Sequence, residues 1–179
     1  MMNRNEIEIE LQRSLQGTHQ YRSMSSGRGM RGTSTVAVHG ESSSGLLPHV
    51  PTVSATGLLY PELSYEVVGA LIEVHRWLGP GQLESIYQRA VEKELALRGI
   101  PFEAQVAVPA LYKGDDMGEL VLDLIVDDSI VLELKAVTSI LPVHRAQLMS
   151  YLRATGCRLG LLVNFHVPVM IQGIKRIAL

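Results

Sequence analysis

The chain is short of several things, and each shortage excludes a class of protein. It has one cysteine, Cys157, in 179 residues. A lone thiol cannot close an intrachain disulfide or build a cysteine zinc cage, so a reducing, cytoplasmic setting is expected. No run approaches the roughly 18 apolar residues of a membrane helix, so no spanning segment is expected. The N-terminus lacks the positive, then apolar, then small-residue order of a signal peptide. His75, His144 and His166 are scattered without a ligand spacing such as HxxxH, which argues against zinc. There is no Walker lysine loop, so nucleotide hydrolysis by the chain alone is not expected. A formal net charge of −2 lacks the basic excess of a binder held on phosphate by charge alone. It leaves room for an enzyme that meets phosphate in a local cleft. What is present is a 46% hydrophobic composition, ample for one core.

Two regions differ in texture. Residues 1–57 include the Ser/Gly/Arg-rich stretch Ser23–Ser34 and the Glu41-Ser42-Ser43-Ser44-Gly45 run. Such composition cannot bury enough apolar surface to offset ordering entropy, so a disordered extension is expected there. Ile7, Ile9 and Leu11, alternating with Glu6, Glu8 and Glu10, are the exception and fit a short strand or a frayed helix. Residues 58–179 form the expected folded domain, with net charge −3 against +1 for the extension. Ser64 can cap a first helix running to about Leu78. Gly79-Pro80-Gly81 breaks it, and a second helix spans about Leu83 to Arg98. Strand-like runs follow at Phe102–Tyr112, Glu119–Val126 and Ile130–Val137, with Asp115-Asp116 read as a solvated loop. Pro142 opens a third helix ending at Gly156. Leu159–Asn164 is a buried-type strand and Val169–Ala178 adds another. The order α-α-β-β-β-α-β-β implies an α/β fold, a mixed sheet flanked by helices.

The informative segment is Ile130-Val131-Leu132-Glu133-Leu134-Lys135-Ala136-Val137. It is apolar on both faces, as a central strand is, except at Glu133 and Lys135. Those two stand two residues apart and project from one face. Burying a carboxylate and an ammonium is costly unless they pair or bind something. Asp123 lies in the preceding run. If the turn holds three residues, Asp127 to Ser129, Asp123 falls opposite Glu133; a two-residue turn would separate them onto opposite faces. Two carboxylates and a lysine in one place suit a hard divalent cation, magnesium above all. The plainer alternative is a solvent-facing ion pair. Glu84 and Tyr87 share a face of the second helix, as Gln147, Tyr151 and His144 do on the third.

These residues together resemble a known family. Gly81-Gln82-Leu83-Glu84-Ser85-Ile86-Tyr87 matches the signature that names the GxxExxY proteins. Asp123 with Glu133-Leu134-Lys135 matches the D…(D/E)xK core of the PD-(D/E)XK nuclease superfamily, with Leu122 where the superfamily's name has proline. Gln147-Leu148-Met149-Ser150-Tyr151 resembles the QxxxY motif of its recombination-nuclease branch. The resemblance covers Leu58 to Leu179. It implies a restriction-endonuclease-like core and hydrolysis of phosphodiester bonds, but it does not supply the substrate. Nucleic acid is the expected partner, DNA ahead of RNA. The implied metal is Mg²⁺, with Mn²⁺ as a substitute. Asp123 and Glu133 would be metal ligands and Glu84 a metal-proximal acid. Lys135 would orient or activate water and offset developing charge, while Gln147 and Tyr151 would position lysine, water or phosphate.

A second class stays open: a catalytically inactive nucleic-acid or protein-binding module on the same fold. The negative charge of residues 58–179 leans that way. Lys113, Arg145, Arg153, Arg158, Lys175 and Arg176 are candidates for a basic rim. Trp77 is expected in the core or at its rim, and Cys157 as a buried structural thiol.

Overall fold

The structure, a computed structural model, describes residues 58–179. The disordered extension expected over residues 1–57, and the short element at Ile7 to Leu11, lie outside the described residues. Helix α1 spans Pro61–Leu78, with proline at its first turn. Its start corrects the expected cap. Ser64 lies a full turn inside the helix, and its buried hydroxyl accepts a hydrogen bond from Arg176 Nη1 at 2.8 Å. Helix α2 spans Glu84–Leu97 and buries Tyr87, Val91 and Leu95. Strands β1 (Phe102–Tyr112) and β2 (Asp115–Val126) form a long hairpin. Its turn is the two-residue Lys113-Gly114, with φ of 55° and 96°. That left-handed pair matches the twist of the flanking strands. Asp115 and Asp116 are therefore strand residues and not a loop.

Strand β3 (Ile130–Lys135) follows, then helix α3 (Pro142–Thr155) and strand β4 (Leu159–Asn164). The expected strand over Val169–Ala178 divides into a one-turn helix α4 (Met170–Gly173) and strand β5 (Ile174–Ala178). Gly173 explains the break: the turn packs so closely on β4 that a Cβ there would come within 2.1 Å of the Asn164 carbonyl oxygen. The sheet order is β1-β2-β3-β4-β5, antiparallel except for the β3–β4 pair. Helix α3 is the crossover that the parallel pair requires.

The two sheet faces bury different elements. Leu124, Val126, Ile130, Leu132 and Leu134 pack with α1 and α2. Val131, Leu122, Leu162 and Ile177 pack with Leu148, Tyr151 and Leu152 of α3. In β2, Leu122 and Leu124 share parity yet face opposite layers. The inversion falls at Asp123, beside Gln105 of β1, whose φ is 51°. Only Val126↔Ile130, Ile125↔Val131 and Leu124↔Leu132 pair β2 with β3, so the three-residue turn is the one observed.

Two other expectations are corrected. Trp77 is 77% exposed, its Nε1 donating to Glu73 at 2.8 Å, so it belongs to the surface. Arg176 cannot join a basic rim. It is buried, donating to Ser64 Oγ and to the Leu59 carbonyl, and burial pushes its guanidinium down to about 10.

Candidate active site

The site is built at the C-terminal end of β3. Alternation from Val131 places Glu133 and Lys135 on the face covered by α3. Asp123 stands where β2 stops pairing with β3, and its side chain takes over: Oδ2 accepts the Leu134 N–H at 2.8 Å. Glu84, first residue of α2, reaches across from the other layer. Its Oε2 accepts the Ala136 N–H at 3.3 Å, and its Oε1 lies 3.9 Å from Lys135 Nζ. These four of the six expected residues are brought together.

Lys135 Nζ donates to Glu133 Oε1 at 2.6 Å and to the Leu134 carbonyl at 2.8 Å. The other Glu133 oxygen, Oε2, is buried and has no hydrogen-bond partner among the described residues. Burial drives the Glu133 carboxyl up to about 7; the lysine opposes this, while Asp123 and Glu84 add repulsion. Burial also raises Asp123, against the Leu134 N–H and Lys135, which pull it down. For Lys135 burial pulls downward, but the bond to Glu133 and the charges of Glu133, Glu84 and Asp123 outweigh it. The net rise above 10.5 keeps the ammonium protonated at neutral pH.

Gln147 and Tyr151 are placed differently. Gln147 Nε2 donates to Tyr151 Oη at 2.6 Å, and Tyr151 sits in the layer that covers Val131. They line the same face as Glu133 but make no hydrogen bond to the acids or to Lys135 among the described residues. His144 is occupied elsewhere, its Nδ1 accepting the Leu141 N–H at 3.2 Å at the start of α3.

Tyr87 turns out to be structural. It is fully buried, stacks on Phe165 with centroids 4.2 Å apart, and donates to the Gly79 carbonyl at 2.6 Å. It also accepts the Gln82 N–H at 3.1 Å. The tyrosine thus shapes the Gly79–Leu83 loop from which Glu84 projects. Asn164, passed over in the sequence, closes the same end of the sheet. Its signal was a lone amide ending an otherwise apolar buried strand.

Among the described residues, no three histidine, cysteine or acidic side chains are gathered into a preformed metal cage. The donor set still suits a hard cation. Asp123 and Glu133 offer carboxylate oxygens whose charged form is destabilised by burial, and Glu133 Oε2 is an orphan acceptor that a cation would satisfy.

A family model described as the PD-(D/E)XK nuclease superfamily matches residues 61–177. The chain belongs to that superfamily. The five-stranded mixed sheet flanked by helices agrees with its restriction-endonuclease-like fold. Nucleases of this superfamily typically use divalent metals. No curated protein matches the sequence. The crystal structure of SSO0001 is similar at 25% identity and a TM-score of 0.37, over 65% of this chain and 55% of that one. The match therefore spans about half of that protein's length. Among the described residues no helix is long and apolar enough to cross a membrane.

Proposed function

We propose that the chain is a Mg²⁺-dependent nuclease of the GxxExxY type that hydrolyses phosphodiester bonds in DNA, with Mn²⁺ able to substitute. The observation that carries this reading is the unpartnered, buried Glu133 Oε2 beside a protonated Lys135. A purely structural ion pair would have no reason to leave one carboxylate oxygen unsatisfied. DNA is preferred over RNA because Gln147 and Tyr151 resemble the pair found in recombination nucleases. Cys157 takes no part; it is half-buried and not fully buried as expected, and that partial burial raises its thiol and suppresses the thiolate, which suits a structural residue in a reducing cytoplasm.

Asp123 and Glu133 would hold the cation, with Glu84 as the nearby acid. When bound, it would polarise the phosphoryl oxygen and make a water more acidic. Lys135, held by Glu133, places a compact positive charge where the phosphoryl group gains negative charge in the transition state. Glu84 restrains the lysine from the far side and fixes the Ala136 amide. Gln147 and Tyr151 would line the wall against which the scissile phosphate rests.

The test is cleavage of plasmid, linear DNA and RNA with Mg²⁺, with Mn²⁺ and with chelator. Cleavage that needs metal and falls about 10²- to 10³-fold in Lys135→Ala is expected, with substrate binding little changed. Lys135→Arg should restore only part, because a planar fork does not reproduce a point charge. Full activity in Lys135→Ala would refute the nuclease mechanism and leave the binding module as the better account.

A further inference from the structure

The backbone that follows Lys135 poses an accounting problem. Strand β3 ends at Lys135, and β4 ends opposite it at Asn164. The last ladder bond runs from the Phe165 N–H to the Lys135 carbonyl at 2.8 Å. Beyond it the chain leaves the sheet, so Val137 has no strand partner for its N–H or its carbonyl. Asn164 supplies both. Its Oδ1 accepts the Val137 N–H at 3.1 Å, and its Nδ2 donates to the Val137 carbonyl at 2.8 Å. Oδ1 also accepts the His166 N–H at 3.2 Å. Only one orientation of the amide satisfies all three, since both N–H groups meet the oxygen and the carbonyl meets the nitrogen. The side chain is 4% exposed, so these bonds have no water to replace them.

The neighbourhood shows that Asn164 is held in place. Gly173 abuts its main-chain carbonyl so closely that any Cβ would collide with it. On the other side, the Ala136 N–H is held by Glu84. The Lys135–Val137 segment is thus pinned by an acid from α2 and an amide from β4, and the lysine ammonium emerges from this pinned segment.

We infer that Asn164 is a positioning residue: it clamps Val137 and so fixes the backbone that aims Lys135 at the substrate. This deepens the nuclease reading above and rests on it. An alanine at 164 frees both Val137 groups and creates a pivot two residues after the lysine. An aspartate keeps the acceptor for the Val137 and His166 N–H groups but turns an oxygen against the Val137 carbonyl. The clamp bonds only main-chain groups of Val137 and His166, so DNA binding is expected to change little when it is lost. Misplacement of a reacting group by about 1 Å costs on the order of 10²-fold in rate.

The experiment compares wild type, Asn164→Ala and Asn164→Asp in single-turnover DNA cleavage with Mg²⁺, alongside amide hydrogen exchange by NMR. Val68→Ala, in the α1 layer and away from the site, controls for lost stability. Asn164→Ala should lose about 10- to 100-fold in kcat with KM within about twofold. Its Val137 amide should lose protection while the Leu132 amide keeps it. Asn164→Asp should fall between the two, and it carries the test if the alanine variant does not fold. Val68→Ala should melt earlier yet keep its kcat. Unchanged kcat in Asn164→Ala, or a Val137 amide still protected, would overturn the inference. So would a kcat loss in Val68→Ala equal to that of Asn164→Ala at matched melting temperature, since instability alone would then account for it. A wild type that cuts nothing refutes the nuclease reading first; loss of Val137 protection would then leave Asn164 a residue of the fold only.

Discussion

Glu133 is the residue on which the physics of the site turns. Burial pushes its carboxyl up to about 7 in the folded chain from an ordinary value of 4.5. Between those two values the folded state holds a proton that the unfolded state has released. The contribution to stability is therefore complete below 4.5 and is lost as pH rises through about 7. Metal-free protein is expected to lose on the order of 1–3 kcal/mol across this window. Asp123, raised by burial as well, adds to the loss at the acidic end. Urea midpoints in chelator at about pH 5 and about pH 8 check this. In Glu133→Gln the slope should flatten, because the titrating group is gone. A divalent ion competes with the proton for the same oxygens, so rising Mg²⁺ should move the alkaline midpoint toward wild-type values at pH 5. No movement with metal would speak against Glu133 as a ligand.

Among the elements, the entry to α2 brings the one of the four gathered site residues that comes from outside the sheet, because it holds Glu84 over Ala136. Its shape depends on a tyrosine that makes no hydrogen bond to the acids among the described residues. Tyr87 joins the Gly79 carbonyl, the Gln82 N–H and the Phe165 ring. Tyr87→Phe keeps the stack and removes both hydrogen bonds, which should cost about 1–3 kcal/mol. Activity should fall less than in Lys135→Ala, since Glu84 is loosened and not lost. Tyr87→Ala also empties a fully buried ring site and should cost about 3–5 kcal/mol. Thermal melts of both variants, set beside their cleavage rates, separate the two effects. The short α4 is equally specific. Gly173→Ala drives a Cβ into backbone, which cannot shift cheaply, and should cost about 1–3 kcal/mol or more.

For the molecule as a whole, the N-terminal boundary of the folded unit can be tested by where Arg176 is anchored. This guanidinium of the last strand bonds the Leu59 carbonyl and Ser64, more than a hundred residues earlier in the chain. We propose that residues 1–57 are dispensable for the fold. A chain beginning at Leu58 is expected to melt cooperatively near the full-length temperature. A chain beginning at Pro61 removes the carbonyl acceptor and the buried Leu59 and Tyr60. It should melt several degrees lower, as a buried hydrogen bond to a charged group is worth about 1.5–3 kcal/mol. A large loss already at Leu58 would mean that the preceding residues pack on the core.

Periodicity and turn length are local properties, and whatever depends on them could be read without coordinates. The helix that Pro142 opens and Gly156 closes is found with its expected limits. Leu159–Asn164 likewise matches its apolar run residue for residue. Glu133 and Lys135 share a face because strand side chains alternate, and the three residues from Asp127 to Ser129 set the register with β2. Other features join residues far apart in the chain, and no local pattern encodes them. The layer inversion at Asp123 coincides with the left-handed Gln105 on the neighbouring strand. Glu84 reaches Ala136 over 52 residues because α2 packs beside β3. Helical spacing puts Tyr87 on one face with Glu84, but its stack on Phe165 belongs to the core. Arg176 reads as a surface base in the sequence, whereas the Leu59 carbonyl and Ser64 hold it inside the fold. Short-range sterics settle where a chain is helical or extended, whereas burial and the partners of polar groups depend on which distant segments pack together.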